Sequence, residues 1–269
     1  NPYDHQLYDV VRGPLDFISS NRTNAAATLA GTVTAFNADG FNVGTNLGVN
    51  NSSSLFVAWQ FIKAAGFFDI IDFTPTVSVE SVPHLLGVDV GFILAKNTSN
   101  TQDWIVYSRG LGATKALQLN TTSAAITSVS YWNDTEPTTT EFTAGTQFNI
   151  GQSYAVYAFA HNPSKGIFCG TYAGTSTAGN KITTGFPVGW VLIKCSTTPS
   201  DWLLFDIKRG MTTGADPLLR PNLSSAEASG TNFIDSEVDG FTLQIAGGSS
   251  SNQSGESYTF MAIADPAQF

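Results

Sequence analysis

Asn120-Thr-Thr-Ser-Ala-Ala-Ile-Thr127 is the middle one of three copies of a motif. The first copy is Asn21-Arg-Thr-Asn-Ala-Ala-Ala-Thr28 and the third is Asn222-Leu-Ser-Ser-Ala-Glu-Ala-Ser229. Each is followed by a Phe-centred segment: Asp39-Gly40-Phe41, Glu141-Phe142 and Asp239-Gly240-Phe241. Each then reaches an aromatic-rich run: Phe56-Val-Ala-Trp-Gln-Phe61, Tyr154-Ala-Val-Tyr-Ala-Phe159 and Tyr258-Thr-Phe-Met-Ala-Ile263. Landmarks recurring in one order at spacings of 98 to 104 residues mark repeated domains, because solenoid units are far shorter.

Two more segments recur only once. Gly66-Phe67-Phe68 returns as Gly166-Ile167-Phe168, and Gly91-Phe-Ile-Leu-Ala-Lys96 returns as Gly189-Trp-Val-Leu-Ile-Lys194. A full unit therefore runs over 66–165 and another over 166–269, while 1–65 carries only the second half of a unit. Its missing strand is expected upstream of Asn1 or from another chain, since an open strand edge is normally covered.

Short apolar runs bounded by Gly, Asn, Thr or Pro dominate, as in 66–73, 91–96, 103–108 and 115–119. This punctuation predicts an all-β protein of tandem antiparallel β-sandwich, jelly-roll-like repeats. Gly189–Lys194 and Asp201–Asp206, joined by a polar turn, predict a hairpin. In Trp104-Ile-Val-Tyr107 both alternating faces are apolar, so this strand is predicted to be covered on both sides. The three Asn-x-Thr/Ser-x-Ala segments predict one short helical turn each, starting near Asn21, Ser123 and Ser224, because Asn and Ser cap helices well and Ala favours them.

Charged residues make up only 12% of the chain, so its surface is built largely from neutral polar groups, as suits an extracellular or virion protein. A net charge of −9 argues against a nucleic-acid footprint and against charge-driven membrane binding. No run is long and apolar enough for a membrane span. Cys169 and Cys195 read as buried free thiols, with a bridge possible only if their strands are neighbours.

The search for chemistry is mostly negative. His5, His84 and His161 have no metal-ligand companion at i+2 or i+4, and no nucleophile elbow or phosphate loop occurs. The carboxylates Asp69 with Asp72, and Asp134 with Glu136, read as turn or loop residues and not as a glycosidase pair. Gly-Gly-Ser-Ser-Ser at 247–251 reads as a flexible loop. Asp206 occupies the repeat position of Asp9, which suggests a structural role. Eight Asn-x-Ser/Thr sequons occur, three of them at the same repeat position, where Asn21, Asn120 and Asn222 are expected to cap the turn. No catalytic residue, metal site or cofactor is expected. The strongest binding candidate is the loop Tyr131–Glu136, where Trp132, Asn133 and Asp134 put an indole face beside an amide and a carboxylate, the mixture that sugar recognition uses. The competing expectation is that Trp132 caps the core.

The segments Gly110-Leu-Gly-Ala-Thr-Lys115, Leu119-Asn-Thr-Thr122, Tyr131-Trp-Asn-Asp-Thr135, Asp39-Gly-Phe41 and Ser153-Tyr-Ala-Val-Tyr-Ala-Phe159 resemble a repeat of virion-associated proteins of marine bacteriophages, described as tail-fibre or other appendage proteins. The resemblance spans essentially the whole chain and is strongest over 66–165. It departs at 1–65 and at Thr213-Gly-Ala-Asp-Pro217. It implies a viral, extracellular, non-enzymatic β-protein that forms homo-oligomers, a trimer being one option. The partners expected are other virion proteins and, secondarily, a host-surface glycan. A carbohydrate-binding adhesin or a capsid or baseplate decoration protein is the alternative, followed by a polysaccharide depolymerase.

Overall fold

The computed structural model describes residues 3–212, 214–246 and 250–268. Thr213, at the head of the divergent 213–217 stretch, and residues 247–249 of the glycine–serine loop lie outside the described residues. The chain is all-β, and every strand pairing is antiparallel.

The first stretch carries β1 (Gln6–Asp9), β2 (Gly13–Ser19), β3 (Ala27–Thr28), β4 (Val33–Asn37) and β5 (Gly40–Val43). The second carries β6 (Phe68–Phe73), β7 (Glu80–Pro83), β8 (Val90–Asn97), β9 (Ile105–Ser108), β10 (Lys115–Ala116) and β11 (Ile126–Thr127). It continues with the short helix α1 (Val129–Trp132), then β12 (Glu141–Ala144) and β13 (Tyr154–Ala160). The third carries β14 (Ile167–Ala173), β15 (Asn180–Thr183), β16 (Val188–Cys195), β17 (Leu203–Asp206), β18 (Ile234–Glu237), β19 (Gly240–Leu243) and β20 (Ser257–Ala264).

Strand pairing repeats in register. The four-stranded sheet β6-β13-β8-β9 is matched by β14-β20-β16-β17. Phe92 faces Ser108 across β8 and β9, and Trp190 faces Asp206 across β16 and β17, the predicted hairpin. Phe17–Ala27, Ala116–Ile126 and Leu218–Ala228 are the same pairing in the three stretches. Both long sheets skip a glycine at the same place, where β13 meets β8 and β20 meets β16. A Cβ on Gly91 would lie 2.7 Å from the Ala160 carbonyl oxygen, and one on Gly189 would lie 2.6 Å from Asp265 Cα. Only glycine permits that approach.

Alternation along the strands explains why both faces are apolar. In β16, β17 and β20, Val191, Ile193, Leu203, Phe205, Tyr258 and Phe260 pack into the third unit's own core against Phe241 and Leu243. The intervening Trp190, Leu192, Leu204 and Met261 turn the other way, as does Trp202 just before β17, and join a core shared with the second unit and Ile18 of the first. Each four-stranded sheet thus packs a small sheet on one side and the neighbouring units on the other. Each fully buried aromatic side chain contributes about 1.5–3 kcal/mol to this arrangement.

The helical turns predicted near Asn21, Ser123 and Ser224 do not form. The three segments run as turn and irregular backbone into the pairings of Ala27, Ile126 and Ala228. The α-helix forms later instead, capped by Ser128, whose side chain accepts from the Ser130 N–H. Cys169 and Cys195 are both buried and free. Their strands, β14 and β16, lie on opposite sides of β20, so they are not neighbours.

Candidate functional site

The repeated Asn is a tether. Asn120 Oδ1 accepts the Trp104 N–H at 2.9 Å, and its Nδ2 donates to Asp103 Oδ1 at 2.7 Å. Asn222 does the same with Trp202 (3.0 Å) and Asp201 (2.7 Å), and Asn21 with His5 (3.2 Å) and Asp4 (2.6 Å). In all three copies the amide satisfies an N–H and a carboxylate at the entry to the β1, β9 or β17 strand.

The adjoining side chain then reaches into the preceding unit. Trp104 Nε1 donates to the Ser19 carbonyl and Trp202 Nε1 to the Gln118 carbonyl, each at 3.0 Å. At the third such place the His5 ring lies against the backbone of Arg220 and Leu223. Lys96 Nζ crosses the same boundary and donates to the carbonyls of Thr23, Asn97 and Gln102 at 2.9–3.0 Å. Lys194 Nζ donates to Thr122 and Cys195. Burial lowers both ammonium groups to about 8, against a weak opposing pull from Asp103 on Lys96 and from Cys195 and Asp201 on Lys194.

A second set of contacts runs between Asp, Arg and an aromatic residue. Asp9 Oδ2 accepts from Arg12 Nε at 2.6 Å and from the Tyr157 hydroxyl at 2.8 Å, while Arg12 Nη2 donates to the Leu7 carbonyl at 3.1 Å. Asp206 Oδ2 accepts from Arg209 Nε at 2.6 Å and from Trp59 Nε1 at 3.1 Å, and the guanidinium stands 5.4 Å from the centre of the Trp59 ring. The remaining place is held by Ser108, Leu111 and Met261, so the ion pair is gone: Met261 belongs to the shared core, Leu111 packs on it, and the Ser108 hydroxyl is hydrogen-bonded to that of Thr259. The second unit docks on the first, the third on the second, and the first back on the third.

Trp132, Asn133 and Asp134 do not form a sugar platform. The Trp132 indole is 1% exposed and packs edge-on against Tyr107 and Phe142 and obliquely on Phe148, so it has no free face. The competing expectation, a core cap, describes it. Asn133 ends the helix in left-handed conformation (φ 53°) with its N–H on the Val129 carbonyl, and Asp134 follows at φ 49°. Both side chains are exposed.

Beside them lies a polar cleft of about 310 Å³ lined by Asp89, Val90, Tyr107, Arg109, Glu136 and Pro137. Arg109 pairs with Asp89 at 2.6 Å on its rim. Glu136 accepts the Tyr107 hydroxyl and the Ala113 N–H, each at 2.7 Å. Burial, then the Glu136 hydrogen bond, pushes the Tyr107 phenol far above its usual range, so it stays a donor. The corresponding positions of the third unit are Pro187, Phe205 and Ile207. The third unit therefore lacks this polar lining, a departure that sequence comparison of the copies could have revealed at Asp89 and Arg109.

The remaining candidates are dispersed. Asp69 is buried and holds the Leu85 N–H at 2.7 Å and Lys63 at 2.7 Å, whereas Asp72 is exposed. His84 Nδ1 accepts the Leu86 N–H, and His161 Nδ1 accepts the Cys169 N–H. Burial lowers both imidazoles. Among the described residues no three His, Cys, Asp or Glu side chains converge on a metal position. A smaller cleft of about 230 Å³ is lined by Cys195, Thr198, Glu256 and Tyr258, among others. Of the sequons, Asn97, Asn222 and Asn252 are buried, while Asn50 and Asn133 are exposed.

Residues 1–266 match the model of a domain family of unknown function, DUF7483. The chain belongs to this family. No curated protein and no solved structure matches it. The tethers and interlocked units above are thus a physical description of a DUF7483 domain. Among its described residues no helix is long and apolar enough to cross a membrane.

Proposed function

We propose that this chain is a non-enzymatic structural protein of a bacteriophage virion, part of a tail fibre or surface appendage that presents β-sandwich modules outside the particle. One observation carries this reading. The buried charged residues that most resemble reaction chemistry, Asp9 with Arg12 and Asp206 with Arg209, are spent on joining one unit to the next. A neutral polar exterior over such a mutually braced interior suits an exposed particle component. Antibody raised against the chain should label purified particles on the tail or its appendages. Capsid label would move the protein to a decoration role, and label on neither would reject the reading.

A second reading, a glycan-binding module, is favoured by the cleft at Asp89, Tyr107, Arg109 and Glu136. It lies outside the repeated framework and offers carboxylate and guanidinium groups to hydroxyls. Arg109 is surface-exposed, so Arg109→Ala should leave the fold intact. Glycan-array binding that this variant abolishes would support the module, and binding it leaves unchanged would dismiss the cleft.

A further inference from the structure

The first unit has apolar surface where its sisters have core. Phe41 is 38% exposed, whereas its counterparts Phe142 and Phe241 are 1% and 0% exposed. Phe56 is 48% exposed, against 0% for Tyr154 and 1% for Tyr258. Leu55, Val57, Val43 and Ile62 are exposed as well. The run 55–62 has the sequence of a central strand but forms none, because among the described residues no strand pairs with either of its edges. Its inward-facing side chains are nevertheless seated: Phe61 meets Phe159 and Trp190 edge-on at 5.5 and 5.9 Å.

What is missing can be read from the sister units. In the order β6-β13-β8-β9, β13 is flanked by β6 and β8, and β7 pairs with β12. The first unit has counterparts of β9 (β1), of β12 (β5) and of β13 (55–62), but none of β6, β7 or β8. One strand is therefore absent between 55–62 and β1, one beyond 55–62, and one beside β5.

We propose that three strands of the repeat's own first half complete this face, carried by the same polypeptide immediately N-terminal to Asn1. Register supports that source. Asp103 corresponds to Asp4, so Asn100 corresponds to Asn1, and residues 66–99 correspond to the 34 positions ahead of it. The Lys96 position then falls four residues before Asn1, where its ammonium would reach the backbone near Ser224 as Lys96 reaches Thr23 and Lys194 reaches Thr122. A second copy of residues 1–269 is a poorer donor, because its β6–β8 and β14–β16 are already paired within their own units.

The test is backbone hydrogen exchange, read by mass spectrometry, on residues 1–269 alone and on the native polypeptide isolated with whatever precedes Asn1. Alone, the chain should leave this face uncovered and exchange 55–62 at least about a hundredfold faster than 154–160. In the native polypeptide the two segments should exchange alike, and a lysine should stand four residues before Asn1. Protection of 55–62 in the isolated chain would overturn the proposal, a dimer reassigning the face to a second copy. A native polypeptide that leaves 55–62 unprotected, or that begins at Asn1, would overturn it too. As a second variant, residues 66–99 duplicated ahead of Asn1 should slow exchange at 55–62 and raise Tm, and unchanged exchange in the folded variant would count against it.

Discussion

Trp59 donates its indole N–H to the carboxylate of Asp206, 147 residues away in the chain, at a distance of 3.1 Å. That bond ties the first unit to the third and closes a circuit that Trp104 and Trp202 make at the other two boundaries. Arg209 locks the arrangement from both sides, ion-paired to Asp206 and set over the Trp59 ring.

The equivalent cluster at Asp9 is buried, so breaking it should be costly. Asp9→Ala leaves the Arg12 guanidinium without its counter-ion and the Tyr157 hydroxyl without its acceptor, and should lower stability by about 3–5 kcal/mol in urea denaturation. Replacing all three residues by those of the sister site, Asp9→Ser with Arg12→Leu and Tyr157→Met, should recover most of that loss. A triple variant as unstable as Asp9→Ala would show that the two sites are not interchangeable.

The three repeated asparagines should behave alike. Asn120→Ala strands the Trp104 N–H and one Asp103 oxygen, and should cost about 1–3 kcal/mol. Asn222→Ala and Asn21→Ala should fall in the same range, with Asn222 at its upper end because that side chain is the most buried. Equal chemical-denaturation midpoints for Asn222→Ala and the parent chain would contradict the tether.

These residues mark the limit of what the sequence reveals. The triplication was legible as ordered landmarks recurring about one hundred residues apart, and the hairpin of β16 and β17 and the two-sided burial of Trp104–Tyr107 because they are local periodicities. The role of Asn120 was not, because an amide at a turn looks the same whether its partner is a helical N–H or the Trp104 N–H sixteen residues away. Trp132 misled for a related reason. An indole beside polar residues reads as a platform, and only the distant Phe142 and Phe148 decide that it points inward. The run 55–62 has the composition of a strand, but a strand also needs neighbours.

Trp132→Ala should therefore act on stability. Removing a fully buried indole should cost about 3–5 kcal/mol, with a matching drop in Tm. A variant of unchanged Tm would place the indole on the surface after all.

The two buried lysines give the protein a pH signature. Unfolded, each titrates near its ordinary value of 10.5, while in the folded chain burial brings both to about 8. Between those values the unfolded chain holds more protons, so stability should rise as pH rises from about 8 to 10, with the full cost of the buried charges present below 8. Urea midpoints at pH 7.5 and 9.5 should differ in that sense, and Lys96→Met with Lys194→Met should flatten the difference. A midpoint that falls over this interval would contradict the assignment.

The closed circuit of three units stands or falls with the contact between its ends. A crystal structure of residues 1–269 should show the Trp59 indole nitrogen within hydrogen-bonding distance of the Asp206 carboxylate, with Asn21, Asn120 and Asn222 in superimposable tethers. A first unit swung away from the third, with Trp59 in solvent and Arg209 paired elsewhere, would contradict it.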